Sequence, residues 1–297
     1  MDAVTERLIK DYAYYLKIER QMSPNTVSSY TSDVREFFGS LSASPSEVSS
    51  DDVTSYVAER SDGISKRTQA RLLSSLRSFF DWMILDGERK ENPCDKVEHP
   101  KLGRYLPEVL SVEEVEAIIE SVDTTAATGL RDRAILEVLY GCGLRVSEAV
   151  TLKVSDIFFQ EGFVRVIGKG DKQRVVPLGE MASDAVSAYL ASRPEPYDDA
   201  TGEVLFLNRF GKPLSRVSVF TMVKRQAMLA GVRKEISPHT FRHSFATHMI
   251  ENGADLRVVQ EMLGHESILT TEIYTHIDTS TWQAAVLEHH PRGNKKA

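Results

Sequence analysis

The stretch SPHTFRHSFATHMIENGADLRVVQEMLGHESILTTEIYTH, Ser237–His276, organises the rest of this chain. Ser237 followed by Pro238 reads as a helix N-cap and first helical residue. A serine hydroxyl accepts from an orphan amide, and proline lacks the N–H that would go unpaired there. Phe241, Phe245 and Met249 recur at helical spacing, so that face is predicted to pack on a core. His239 and Arg242 are three apart and fall on neighbouring turns of one face. Gly253 is the predicted stop. A second short helix is expected over Asp255–Leu263, with Gly264 as its left-handed cap, which leaves His265 on a turn just past a helix end. Ser267 is a candidate cap for a third helix carrying Tyr274.

A guanidinium, imidazoles and a phenol in one stretch suit a phosphodiester. The planar fork of arginine matches two non-bridging phosphate oxygens, and histidine donates or accepts a proton near neutral pH. Tyrosine is a nucleophile that keeps the phosphate covalently attached. H-x-x-R (His239, Arg242), then L-G-H ending at His265, then Tyr274 nine residues later, resembles the tyrosine recombinase (phage-integrase) family. Within that family the chain is most similar to the bacterial Xer recombinases, and the similarity runs over nearly the whole length.

Length and composition fit this. With 297 residues, 41% of them apolar, one large or two medium domains with ample core are expected. No run of about 18 apolar residues occurs, so no membrane contact is expected. The opening MDAVTERLIKDY is acidic and amphipathic rather than signal-like. Cys94 and Cys142 are the only cysteines and lack CxxC spacing, which points to a reducing cytoplasm without disulfide or thiolate metal site. The net charge of −7 argues against a DNA partner until its distribution is read. Residues 63–80, 162–178 and 209–243 together hold 16 of the 36 Lys/Arg but 2 of the 43 Asp/Glu. That segregation suits a basic channel on an acidic body.

Residues 1–91 read as all-helical. Arg7–Arg20 is amphipathic, with Leu8, Tyr12, Tyr15 and Leu16 as candidate core. Ser23-Pro24 starts a second helix that ends near Phe38 and Gly39, and Ser50-Asp51-Asp52 opens a third. In the fourth, Ser65–Leu85, Leu72, Leu76, Phe79, Phe80 and Met83 make one apolar face, while Arg67, Arg71, Ser74 and Ser78 fall opposite. That basic, hydroxyl-bearing face suits backbone contact in a DNA groove. The segment SKRTQARLLSSLRSFF also resembles the core-binding helix of the Xer family, which implies DNA contacts at Lys66, Arg67 and Arg71. Pro93, Pro100 and Pro107 punctuate a linker over residues 92–108, extended enough for two lobes to clamp a duplex. Ser111 with Glu114 is a capping box that opens the second domain.

In that domain, 109–297, a helix over Leu130–Tyr140 is broken by Gly141 and Gly143, and Arg145 opens the next helix near orphan amides that favour an anion. YGCGLRVSEAVTL matches the family's first catalytic arginine motif. Glu148, three residues on, either holds Arg145 in place or lies at the surface. Residues 163–167 and 174–178 flank Gly168-Lys169-Gly170-Asp171-Lys172, a hairpin with a basic tip. The residues alone do not choose between Lys169 and Lys172. The resemblance implies that Lys169 is the catalytic lysine, and that Lys172 and Arg174 contact phosphate. Helices are expected over Met181–Ser192 and Ser215–Ala230, with Arg216 a further candidate backbone contact, and a short last helix over Thr281–Leu287. The tail LEHHPRGNKKA reads from composition as a basic, frayed end. In the family such an end docks on a neighbouring protomer, and H-P-R-G is Xer-like.

The fold expected is therefore mainly α. It has an N-terminal four-helix core-binding (SAM-like) domain and a larger mixed α/β catalytic domain, helical with a small antiparallel β-sheet. The resemblance implies catalytic roles for Arg145, Lys169, His239, Arg242, His265 and the nucleophile Tyr274. His239 and His243, four apart, invite a zinc reading, but no carboxylate or cysteine completes a metal motif, and no metal or other cofactor is expected. His243 and His248 read as packing residues and His276 has no assigned role. Double-stranded DNA with a dif-like site is the implied partner, bound by a homo- or hetero-tetramer. For many Xer proteins the family adds a second Xer recombinase and a septal, FtsK-like DNA translocase. A mobile-element integrase, a type IB topoisomerase and a non-catalytic DNA-binding protein are the alternatives.

Overall fold

The structure is a computed structural model and describes residues 1–41, 43–98, 100, 108–168, 172–264 and 279–292. It divides into two compact units, Met1–Tyr105 and Leu106–Ala297.

The first unit is built from four helices, α1 (Ala3–Ile18), α2 (Pro24–Ser40), α3 (Ser50–Ser61) and α4 (Lys66–Leu85). Local chemistry sets their starts. The hydroxyls of Ser23 and Ser65 accept from the amides of Thr26 and Thr68, and Ser49 forms a capping box with Asp52. Tyr12, Leu16, Phe37, Phe38, Leu76, Phe79 and Phe80 are buried in one core, where Tyr12 meets Phe79 edge-on at 5.2 Å.

The α4 helix is more enclosed than its sequence pattern predicts. Leu73, Ser75 and Trp82 are buried as well, because α2 and α3 pack against it and Tyr12 of α1 meets Phe79 and Trp82. Ser78, predicted on the DNA-facing side, instead accepts a hydrogen bond from the Tyr12 hydroxyl at 2.8 Å. Arg71 is exposed but is ion-paired with Asp33, which also accepts from the buried Ser75 hydroxyl at 2.7 Å. Lys66 and Arg67 stand exposed on the first turn.

The second unit holds α5 (Val112–Glu120), α6 (Gly129–Gly141), α7 (Val146–Thr151), α8 (Glu180–Ala191), α9 (Asp199–Gly202), α10 (Arg216–Leu229), α11 (Pro238–Glu251), α12 (Leu256–Leu263) and α13 (Thr279–His289). Ser111 and Glu114 form the capping box of α5. The expected hairpin is present as β2 (Phe163–Ile167) and β3 (Gln173–Pro177), in register Val164 with Val176 and Val166 with Arg174. A third strand, β1 (Ile157–Phe158), extends it antiparallel in the order β1-β2-β3. Two residues are too few to show a period-2 pattern, so the sequence reading missed it.

The α6 helix is the centre of this unit. Ile135, Leu136, Val138, Leu139 and Tyr140 are buried, and α5, α7, α8 and α11 pack around it. Glu137, in the same helix, is buried too. It accepts from Arg292 Nε at 3.1 Å and pairs with Arg292 Nη2.

That pair overturns the reading of a frayed end as far as Arg292, and residues 293–297 lie outside the described residues. His290 and Arg292 are buried, and α13 packs against α11 and β3 of its own chain. The physical reason is a carboxylate buried among the apolar residues 134–140 of α6, which needs a cation brought to it.

Candidate active site

The centre of the site is a carboxylate. Cys142 and Gly143 end α6, and Gly143 turns the chain at φ 58° so that Arg145 becomes the N-cap of α7. Glu148 then falls at the third position of that helix. Its Oε2 accepts from the Arg145 backbone amide at 2.8 Å and its Oε1 from Arg145 Nη1 at 2.9 Å. From β3, Arg174 reaches the same carboxylate with both terminal nitrogens, each at 2.8 Å. From α11, Arg242 Nη1 lies 3.9 Å from Glu148 Oε2 and donates to the Gly143 carbonyl at 2.7 Å. The end of α12 closes the far side. Gly264 adopts the left-handed cap conformation at φ 62°, and the carbonyls before it turn toward the arginines.

Glycine is required at position 143. A Cβ on Gly143 would lie 2.6 Å from Cδ1 of the buried Phe245 ring, and its φ is one that side-chain-bearing residues rarely adopt. Gly143→Ala is therefore expected to destabilise the fold by about 2 kcal/mol or more, from backbone strain of 1–3 kcal/mol plus the ring displacement. A denaturant midpoint shift at unchanged slope would measure it, and a change within about 0.5 kcal/mol would contradict the packing described.

Electrostatically the cluster sets three guanidinium groups against one carboxylate, a net charge of +2. Burial alone pushes the Glu148 carboxyl up. The hydrogen bonds and charge of Arg174, joined by the amide and guanidinium of Arg145, outweigh burial and hold it down at about 2. Arg242 feels the opposite balance. Burial and the neighbouring Arg145 lower it to about 9, with Glu148 opposing them, so it stays charged at neutral pH. A pair of cations partly stripped of water beside one anion is a seat for a second anion, and a phosphate fits its charge and fork geometry. Among the described residues no group of three His, Cys, Asp or Glu side chains could hold a metal ion.

The candidates named from the sequence fall into distinct places. Arg145 and Arg242 come together, with Arg145 about a third exposed and Arg242 buried. His239 is exposed on the first turn of α11, one turn before Arg242. Lys172 is exposed, and its carbonyl accepts from the Gly168 amide at 2.7 Å. Arg216 stands exposed at the start of α10. Lys169, His265, Tyr274 and His276 lie outside the described residues. Arg174 is 5% exposed, with its two terminal nitrogens on Glu148 and its Nε on the Met262 carbonyl. Strand parity carried the missed signal, since Arg174 shares the inward face of β3 with Val176. Glu148 is settled as the group that holds Arg145. His248 is buried and its Nδ1 shares a 2.8 Å hydrogen bond with the Tyr140 hydroxyl, while burial lowers its pKa. No helix of the described residues is long and apolar enough to cross a membrane.

Comparison with known proteins adds to this geometry. Residues 108–281 match the phage integrase family, and residues 9–87 match the phage integrase N-terminal SAM-like domain. The chain is 41% identical to tyrosine recombinase XerD of Listeria monocytogenes serotype 4b (strain F2365), over 96% of this chain and 99% of that relative. Among solved structures it resembles the XerA recombinase, with 30% identity, a TM-score of 0.51 and coverage of 97% and 99% of the two chains. It also shares the fold of XerH bound to a palindromic difH substrate after cleavage, with a TM-score of 0.69, 23% identity and coverage of 95% and 96%.

Proposed function

The chain belongs to the phage integrase family of tyrosine recombinases, a DNA strand-exchange enzyme with a tyrosine nucleophile, and from that premise we propose that Tyr274 is this nucleophile in a Xer-type recombinase resolving chromosome dimers at a dif-like site during cell division. The observation that carries the reading is the convergence of Arg145 and Arg242 beside Glu148 in a cluster of net charge +2.

In the proposed reaction the Tyr274 oxygen attacks the scissile phosphorus in line. The new P–O bond forms as the bond to the 5′-oxygen breaks, leaving a 3′-phosphotyrosyl link. Arg145 and Arg242 neutralise charge developing on the non-bridging oxygens, already oriented before the reaction begins. His265 hydrogen-bonds the phosphate. His239 accepts the phenol proton or orients the phosphate, and Lys169 protonates the departing 5′-oxygen, with Lys172 the substitute if Lys169 fails. The phosphodiester bond energy is kept in the covalent link, so an incoming 5′-hydroxyl reseals the strand without ATP.

The exposed Lys66, Arg67, Lys172 and Arg216, and the Asp33-paired Arg71, are proposed backbone contacts. A tetramer on two sites, a second Xer recombinase, an FtsK-like translocase and a cytoplasmic location complete the proposal. The XerD relative supports a Xer-type recombinase.

Covalent capture tests it. The chain is incubated with fragmented host chromosomal DNA, denatured, and the DNA that remains attached is sequenced. One enriched chromosomal position with two inverted half-sites is expected. Enrichment at the ends of a mobile element would overturn the chromosomal role, and attachment without sequence preference would point to a topoisomerase. Salt-sensitive binding without attachment would leave a DNA-binding protein.

A further inference from the structure

Three consecutive carbonyls at the end of α12 each accept from a different arginine. Met262 takes Nε of Arg174 at 2.7 Å, Leu263 takes Nη2 of Arg242, and Gly264 takes Nη2 of Arg145 at 3.3 Å. The last carbonyls of a helix have no partner within it and carry the negative end of its dipole, so cations are favoured there. Two of the three arginines are the proposed phosphate ligands. The third differs from them in that all of its nitrogens are committed to Glu148 and α12. Arg174 is buried, it grips Glu148 fork to fork, and its remaining Nε is committed to α12.

Its contacts join three separate pieces of chain. Arg174 belongs to the hairpin, opposite Val166 and two residues from Lys172. Glu148 belongs to the first turn of α7, where it also fixes the backbone and side chain of Arg145. Met262 belongs to α12, next to the carbonyl that receives Arg242. The fit is close around it. A Cβ on Gly264 would lie 3.2 Å from Arg174 Cδ, and one on Gly168 3.6 Å from Nη1.

We propose that Arg174 is a positioning residue for phosphoryl transfer, tying the hairpin, Glu148 and the end of α12 into one frame that fixes how Arg145 and Arg242 face a phosphate. The inference rests on the strand-exchange reading above. Arg174 touches no reacting atom; it acts through Glu148 and through the α12 carbonyl. A lysine keeps the charge but not the planar fork, so Arg174→Lys leaves the frame loose. Misplacement of reacting groups by an ångström costs about 10²-fold in rate.

The test uses the full chain and a nicked duplex bearing the site recovered by covalent capture. Single-turnover adduct formation and duplex affinity are measured for the wild type, Arg174→Lys and Arg174→Met, after cooperative unfolding is checked for each. Adduct formation is expected to slow about 10²-fold in the lysine variant, with affinity changed less than about threefold, as for a side chain that meets no phosphate. The pH profile supplies a readout that a merely structural role would not move. With the Arg174 fork gone, burial of the Glu148 carboxyl is less opposed, so the variant should lose rate at a higher pH than the wild type, on top of the acid loss that protonation of His239 gives both. If Arg174→Met does not fold, the lysine variant decides alone. Wild-type rate and a wild-type pH profile in the folded variants would overturn the inference, and affinity falling as far as rate would make Arg174 a phosphate contact instead. A wild-type chain that forms no adduct at all would overturn the strand-exchange reading, and this one with it.

Discussion

Tyr274→Phe should abolish covalent attachment to a nicked site while leaving duplex affinity within about threefold, because phosphate contacts by lysine and arginine supply most of the binding. Phenylalanine keeps the ring and loses only the oxygen that would bond to phosphorus, so no slower version of the same step remains. The expected loss exceeds that of any other single change proposed, more than about 10³-fold, since removal of a covalent nucleophile takes away the pathway itself rather than one stabilising contact. In the proposed mechanism the charge of the arginine cluster is what lets a phenol serve. An unperturbed tyrosine has a pKa near 10 and is mostly protonated at neutrality. A site with three guanidinium groups and one carboxylate favours the phenolate and the pentavalent phosphorus that follows. The measurement is a denaturing gel of protein and end-labelled nicked duplex. A persistent adduct in the phenylalanine variant would falsify Tyr274 as the nucleophile.

The elements that frame the site were legible because their signals are local. Ser111 with Glu114, Ser237 with Pro238 and Asp255 with Gly264 bracket helices through contacts three or four residues apart, and each start or stop lies within a residue or two of its prediction. The β2–β3 hairpin was legible from alternation and its glycine-rich turn. What joins the elements was not. Leu263 and Gly264 receive Arg242 and Arg145 through backbone carbonyls, which every residue carries and no sequence pattern marks. Arg174 sits on an inward strand position, yet a basic residue beside a basic turn reads as a surface contact until its carboxylate partner on α7 is known. Glu137 is the reverse case. The single carboxylate inside AILEVLY was a signal that went unread, and its partner, Arg292, lay in the segment whose composition suggested fraying.

Glu148→Gln is expected to cost about 3 kcal/mol of stability at neutral pH and to slow adduct formation by about 10²-fold, with duplex affinity retained or raised. The stability figure follows from linkage. The Glu148 carboxyl titrates at about 2 in the fold against 4.5 ordinarily, so its contribution is fully present above about pH 4.5 and is lost as pH falls to about 2. The wild-type and glutamine chains should therefore differ at neutrality and converge in acid, a pattern that denaturant unfolding at several pH values would reveal. A constant difference across that window would mean that packing rather than charge distinguishes them. The activity and affinity terms pull apart for a separate reason. Glutamine raises the site charge from +2 to +3, which attracts phosphate. It also removes the anion that orients Arg145 and Arg174 and supports the charge on Arg242. If the carboxylate merely diluted positive charge, its loss would speed cleavage; because it holds the guanidinium groups in register, tighter binding with slower chemistry is the expected result. Faster adduct formation in the glutamine variant would remove Glu148 from the centre of this site.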